Sequence, residues 1–276
     1  MIFVTDKGQL CNNILQYGHL YAWGRENGRA TMSMRFAHKY PEFRISNLPY
    51  HNFFVYLVAK TAARIGLIPT VEFGNLQSEY TQQEQVMLSH RYVLAMGWCV
   101  RYYDLFEKYK NEIIDLFAFS ERVEKTVAMR LGTNTGVVRL GIHVRRGDYA
   151  RWCGGHYYYS DNQYVSVAKQ FCRLFPDKKI EIYVCGNDPR MDVEQYEREL
   201  APARVHFPNG SPAEDLCLFS HCHYLIGPPS TFSLVATMYH DTRLYWMVNT
   251  DVRLELSDFA TFNVLFRKFD DLYIPS

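Results

Sequence analysis

From Val137 to Val248 the chain repeats one rhythm, a short apolar run followed by a segment of helical spacing, and this limits its fold more than any other feature. Val137 to Val144, Lys179 to Cys185, Ala203 to Phe207, Tyr224 to Ile226 and Leu244 to Val248 read as strands. Gln163 to Phe175, Asp192 to Leu200, Pro212 to His221 and Thr231 to Tyr239 read as helices between them. Strands that alternate with helices imply a parallel sheet wrapped on both faces. Such sheets bind ligands at the carboxyl ends of their strands.

The first half has a different texture. Ile2 to Thr5 reads as one strand, and the remainder of that half reads mainly as helix. A helix from Asn12 to Glu26 carries Ile14, Leu15, Gly18, Tyr21 and Ala22 at helical spacing, and Asn27-Gly28 stops it. Tyr50 to Ile65 reads as an amphipathic helix with Phe54, Leu57, Val58, Ala62 and Ile65 on its apolar side. One or two more helices are expected between Glu107 and Leu131. The glycine- and threonine-rich stretch Gly132 to Gly136 marks the expected boundary, giving halves 1–135 and 136–276. A chain of 276 residues suits one large domain or two closely packed ones.

The formal net charge is +1, so the chain has no global field for nucleic acid, and no nucleic-acid partner is expected. Any anion must be held by a local cluster. Seven cysteines at irregular spacing, with no CxxC, fit reduced thiols and a cytoplasmic protein better than a disulfide framework. MIFVTDKGQL lacks the basic and apolar regions of a signal peptide, and no apolar run is long enough to span a membrane. Peripheral contact with a membrane surface stays open.

Two segments have the chemistry of anion sites. In Gly141-Ile142-His143-Val144-Arg145-Arg146-Gly147-Asp148-Tyr149 an apolar strand runs directly into two arginines and a glycine, at the end where ligands bind. Arginine suits phosphate because its planar fork donates two parallel hydrogen bonds. Gly147 permits a sharp turn, and Asp148 could orient an arginine or accept a proton from a hydroxyl. In the second segment a strand ends at Gly227-Pro228-Pro229, and Ser230 is a natural cap for the helix that begins at Thr231. A helix N-terminus with free amides is a phosphate site. The plainer readings are two surface arginines paired with a carboxylate, and a capped helix. Arg146-Gly147-Asp148 as an adhesion tripeptide is a chance match. Cys217 and His221 have i, i+4 spacing, but Cys222 and His223 face elsewhere, so no metal set is complete. Walker A and GxGxxG patterns are absent.

His143-Val144-Arg145-Arg146-Gly147-Asp148-Tyr149 resembles the HxRRGDY signature of the α-1,2-fucosyltransferases of glycosyltransferase family 11, with related versions in α-1,6- and protein O-fucosyltransferases. Gly8 to Tyr17 resembles the family's GGLGNQLFQYA opening, with Cys11 in place of a glycine and Asn13 in place of a glutamine. Asp215 to Ser233 resembles a later segment, an acidic residue followed by a strand and an S/T-F-S turn. The region from Ala30 to Leu131 carries no such match.

The resemblance implies an α/β, GT-B-like fold of two Rossmann-like halves, an acceptor-side N-terminal half and a donor site in the C-terminal half. It implies inverting transfer of L-fucose from GDP-fucose to a glycan hydroxyl without a metal or other cofactor. Arg145 would contact the β-phosphate, with Arg146 beside it among the donor-binding residues. His143 would lie near the nucleotide and Asp215 would bind guanine. Ser230, Thr231 and Phe232 would hold the diphosphate, and Asn12 would sit near the reacting sugar. Arg145, Asp148 and Asn12 are thus the expected catalytic residues. The rival readings are a transferase of another nucleotide sugar and a non-catalytic carbohydrate- or nucleotide-binding protein.

Overall fold

The computed structural model describes residues 1–5, 8–49, 51, 53–77, 79–186, 188–250 and 253–272. Two compact units, Met1–Glu121 and Arg122–Ser276, divide the chain.

The first unit is built on a parallel sheet of four short strands: β1 (Ile2–Val4), β2 (Thr31–Ser33), β3 (Thr70–Glu72) and β4 (Val93–Met96), in the order β2-β1-β4-β3. Its helices are α1 (Leu10–Glu26), α2 (Phe36–Lys39), α3 (Phe53–Arg64), α4 (Thr81–Ser89), α5 (Tyr103–Lys108) and α6 (Lys110–Leu116). The half is mainly helical, as the sequence reads, but it has three short strands besides the expected one at its start. Its strands are only three or four residues long, too short for an alternating pattern to emerge. α1 is buried on nearly every side. At Gly18 an added Cβ would lie 2.3 Å from the Phe106 ring, so α5 packs directly on the α1 backbone.

α3 differs from expectation in a second way. Tyr50, its expected start, lies outside the described residues. The face expected to be buried is turned to solvent: Phe54, Leu57, Val58 and Ile65 are exposed. The helix meets the sheet instead through Ala59, with Val55, Tyr56 and Ala63 beside it, against Phe3, Met32, Met34 and Leu94. Ala59 and Ala63 are small and let the helix approach the sheet closely.

The second unit begins with α7 (Glu121–Leu131). Arg122 and Arg130 pair with Glu214 at 3.3 and 3.0 Å, and Glu124 pairs with His221 at 3.3 Å. These ties hold α7 to the helix that carries Glu214, so the division falls ahead of α7 and not at the expected 135/136. Gly132 and Gly136, both at positive φ, form the turn from α7 into the first strand.

Beyond the turn the alternation holds. Strands β5 (Val137–Val144), β6 (Lys179–Gly186), β7 (Arg204–His206), β8 (Tyr224–Gly227) and β9 (Arg243–Trp246) alternate with α8 (Asp161–Arg173), α9 (Val193–Leu200), α10 (Pro212–Ser220) and α11 (Thr231–Tyr239). α12 (Phe262–Lys268) comes after them. All strand pairs are parallel, in the order β7-β6-β5-β8-β9. The chain winds outward from β5 through β6 and β7, then returns to the other side of β5 with β8 and β9. The order reverses between β5 and β8, and a doubly wound sheet opens its ligand crevice at such a point, outside the carboxyl ends.

Side chains alternate across β5. Leu140, Ile142 and Val144 enter the core with Tyr164, Val165, Ala168 and Phe171 of α8. Gly141 and His143 face the other way. A Cβ at Gly141 would lie 2.5 Å from Leu225 and 2.7 Å from Phe219, so α10 packs closely on the middle of the strand that leads to the arginines.

Candidate active site

The loop after β5 and the loop after β8 meet at the reversal point. The Tyr149 hydroxyl donates a hydrogen bond to the Pro229 carbonyl. The His143 ring lies 5.1 Å from the Phe232 ring, centroid to centroid. A Cβ on Gly227 would sit 3.0 Å from the His143 Cβ, so only a residue without a side chain lets the two strand ends close up. The two expected anion elements are thus one place in the fold.

The arginines diverge, following the alternation of β5. Arg145 reaches Asp148, with Nη2 donating at 2.9 Å to Oδ2, and its guanidinium lies 5.5 Å from the Tyr149 ring centre. Its backbone N–H donates to the Tyr164 hydroxyl at 3.2 Å. Its Nε is buried and makes no hydrogen bond. Asp148 is 62% exposed, against 27% for Arg145, so the carboxylate steadies the arginine from the solvent side.

Arg146 turns inward toward α8. Its Nε donates to the Tyr159 carbonyl at 2.9 Å, and Nη1 and Nη2 donate to Asp161 at 3.3 and 2.6 Å. Asp188 approaches Nη1 at 3.6 Å. With 6% of its side chain exposed, Arg146, expected among the donor-binding residues, is taken up by these contacts and anchors the loop. Tyr149, Tyr164, Asp161 and Asp188 were not singled out in the sequence as site residues. The alternation of β5 was the signal that could have separated the two arginines.

Ser230 caps α11, its Oγ accepting from the Phe232 N–H at 3.2 Å, and its own carbonyl receives the Ser233 hydroxyl. Thr231 is the first residue of the helix, whose N-terminus lies at the crevice because it follows β8 directly. His143 is enclosed: burial, then the Arg145 charge, holds its imidazole down to about 3, so it is neutral and adds no charge. Its Nδ1 is buried without a hydrogen bond.

Asp215 lies one strand further along. It contacts Cys185, the β6 residue in register with His143. Burial raises its carboxyl from 3.8 to about 6, against the pull of Cys185 and Arg130. The cap of α10 is Ser211 with Glu214, so Asp215 is not needed for that task. Its Oδ1 and the Nη1 of Arg130 are both buried without hydrogen bonds. A Cβ on Gly210 would lie 2.7 Å from the first and 2.8 Å from the second, so both atoms flank one glycine. An acceptor beside a donor, both unsatisfied, is suited to a planar polar ring. Arg130 was not singled out in the sequence; the contact with Asp215 is tertiary.

Asn12 stands in the first turn of α1, beyond the carboxyl end of β1. Gly8, at φ +76°, packs on it: a Cβ there would meet Asn12 Nδ2 at 2.6 Å. Among the described residues one group could hold a metal ion: Glu124, Cys217 and His221, with ligand atoms within 4.8 Å of one another. It sits at the amino edge of the sheet, just ahead of β8, and the arginine loop contributes nothing to it. A cavity of about 1000 Å³ also opens at the amino ends of β5, β6 and β7. Its charges are in part already paired, Lys169 with Glu199 at 2.6 Å and Glu181 with Asn134 at 2.9 Å. The arginine loop lies at the opposite edge.

These two arginines should separate in stability measurements. Arg146→Ala leaves the half-buried Asp161 without its cation, while Asp188 keeps Arg190 at 3.0 Å, a loss of about 3–5 kcal/mol. Arg145→Ala removes a pair with an exposed carboxylate, a loss of about 1 kcal/mol or less. Urea unfolding of both variants checks this; equal losses would contradict the assignment.

The profile of glycosyl transferase family 11 matches residues 1–249. The chain is 24% identical over 250 residues to galactoside 2-alpha-L-fucosyltransferase SEC1 of Bos taurus, covering 84% of this chain and 62% of that protein. It is 26% identical over 249 residues to galactoside alpha-(1,2)-fucosyltransferase 2 of Oryctolagus cuniculus, covering 84% and 65%. It therefore spans a little under two thirds of these relatives' length. In structure it is similar to FUT1 of Arabidopsis thaliana, an R284K mutant in complex with GDP, with a TM-score of 0.60 and 12% identity over 94% of this chain and 73% of that one. It is also similar to POFUT1 in complex with GDP-fucose, with a TM-score of 0.55 and 12% identity over 91% and 95%. The fucosyltransferase NodZ from Bradyrhizobium gives 0.56 and 13% over 89% and 95%. The fold is α/β and GT-B-like, two parallel sheets wound by helices. The match to residues 1–249 takes in both sheets and both loops of the crevice, and on it the chain is a member of glycosyl transferase family 11.

Proposed function

We propose that the chain transfers L-fucose from GDP-fucose to a hydroxyl of an acceptor glycan, with inversion and in α-1,2 linkage. The observation that carries this reading is the junction of the arginine loop with the α11 N-terminus, through Tyr149 and Pro229, at the reversal point of the sheet. The names of the relatives, galactoside α-1,2-fucosyltransferases, support the sugar and the linkage, and the GDP-fucose complex of POFUT1 supports the donor.

In this reading Arg145 and the first turn of α11, with Ser230, Thr231 and Phe232, hold the diphosphate. The β-phosphate gains charge as the glycosidic bond breaks. A fixed guanidinium and helix amides favour that charge more in the transition state than in the bound donor, which lowers the barrier. Arg145 takes the place a metal ion has in other sugar-nucleotide enzymes, so the reaction is proposed to be metal-independent and cofactor-free. Asp148 is assigned to steadying Arg145, since the pair is already made. Asp215 would accept from guanine N1–H and the exocyclic amine, with Arg130 donating to the ring's acceptor edge. Asn12 is proposed on the acceptor side, near the reacting sugar. Seven cysteines outside any disulfide, four of them buried, suit a reducing, cytoplasmic setting.

Arg145→Lys keeps the charge and loses the fork. It should retain most GDP affinity and lose on the order of 10²-fold or more in kcat with GDP-fucose and a working acceptor. The native chain in excess EDTA should keep its rate. Near-normal turnover of a folded Arg145→Lys chain, or loss in EDTA restored by Mg²⁺ or Mn²⁺, would overturn the mechanism. Turnover with a different nucleotide sugar alone would reassign the donor.

The Asp215 assignment has a pH signature. Its folded pKa is raised to about 6, so the carboxylate is protonated as pH falls through 6 and guanine loses its acceptor. Guanosine is the probe, because phosphate groups titrate near the same pH. Its affinity should fall about tenfold per pH unit below 6 in the native chain. In Asp215→Asn it should be weak and flat with pH. The same pH profile in both would remove Asp215 from the base site.

A further inference from the structure

α3 is packed on one side and bare on the other. Its buried side, Ala59 with Val55, Tyr56 and Ala63, completes the small core over the first sheet. Its outer side and the turn after it present Phe53, Phe54, Leu57, Val58, Ile65 and Leu67 to solvent. Phe54 is 74% exposed, Val58 55% and Phe53 51%, values that isolated surface residues reach singly but that rarely recur along one helix.

Its charge is one-sided. Between Glu42 and Glu72 the sequence has no acidic residue. Lys60 and Arg64 stand on α3 among the apolar groups and are exposed. Lys60 lies over the Tyr56 ring at 5.6 Å and donates to its hydroxyl at 3.2 Å. Tyr56 in turn lies 5.6 Å from Phe53, and His38 of α2 meets Phe53 at 5.0 Å. Arg35 and Lys39, exposed at either end of α2, extend the cationic rim. An apolar stripe beside aromatic rings and basic side chains, on a helix of low acidity, is the composition of helices that lie in a membrane interface. The helix has twelve residues, about 18 Å, well short of a bilayer core. No helix among the described residues is long and apolar enough to cross a membrane.

We infer that this face of α3 docks the chain on an anionic lipid surface, Phe53, Phe54, Leu57 and Val58 entering the acyl boundary while Lys60 and Arg64 meet lipid phosphates. Charge decides between the occupants. A symmetric pairing of two copies through this stripe would oppose Lys60 and Arg64 to their own counterparts, with no acidic residue on the segment to offset them. Anionic headgroups supply the missing sign, at about fivefold in partition per cation.

The test is sedimentation of the full chain with vesicles of phosphatidylcholine alone and of phosphatidylcholine with phosphatidylglycerol. The chain should pellet with the anionic vesicles and stay in solution with the neutral ones. Salt at about 0.5 M should weaken binding, since the Debye length then falls to roughly 4 Å. Leu57→Ser with Phe54→Ser, and separately Lys60→Glu with Arg64→Glu, should each lower the partition coefficient on the order of tenfold or more, while GDP affinity and turnover on a soluble acceptor stay unchanged. No binding to anionic vesicles, or native binding by both variants, would overturn the inference. So would a dimer in sedimentation equilibrium that Phe54→Ser dissociates, since the face would then belong to a second copy.

Discussion

A guanidinium inside a protein must be matched by acceptors or it destabilises the fold, and Arg146 is matched on every side. Asp161 at the start of α8, the Tyr159 carbonyl just ahead of it and Asp188 after β6 fix it from two segments of the second unit. That fixes the path of the chain leaving β5. With Arg146 committed to the interior, the residue before it emerges on the opposite face, at the crevice, where Asp148 and Tyr149 hold it. The orientation of Arg145 follows from the burial of Arg146.

The same division of labour runs through the site. Tyr149 binds the Pro229 carbonyl and lies against Arg145, so one side chain ties the cationic loop to the helix N-terminus. His143 is kept neutral by burial and by the arginine itself, which leaves Arg145 as the charge that faces the crevice from β5. Asp215 is held at the edge of ionisation, and a carboxylate so poorly solvated gains most from ligand donors. A site with a neutral imidazole, a fixed guanidinium and a capped helix start favours a diphosphate over a neutral sugar or a hydrophobe.

The second unit was legible in the sequence because each element is long enough to show its period. β5 and α11 have the expected limits, and the turn residues Gly227-Pro228-Pro229-Ser230 announce the cap. The first sheet was not legible: Thr31–Ser33 and Thr70–Glu72 offer three residues each, and their strand character comes from pairing with β1 and β4. In α3 the spacing revealed an apolar face but not that the helix has two, and the tighter one, built on Ala59, faces the sheet. The place of Arg145 was legible from residue type and position. The inward turn of Arg146, the tie from Tyr149 and the pairing of Arg130 with Asp215 were not, since each joins segments far apart in the chain.

The central claim is that Arg145 and the first turn of α11 hold one diphosphate between them. A crystal structure with GDP tests it most directly. The account predicts a β-phosphate oxygen within about 3 Å of an Arg145 guanidinium nitrogen, with another phosphate oxygen at the same range from a first-turn amide or hydroxyl of residues 230–232. GDP bound away from the β5–β8 crevice, or at the crevice with Arg145 still turned only to Asp148, would contradict it.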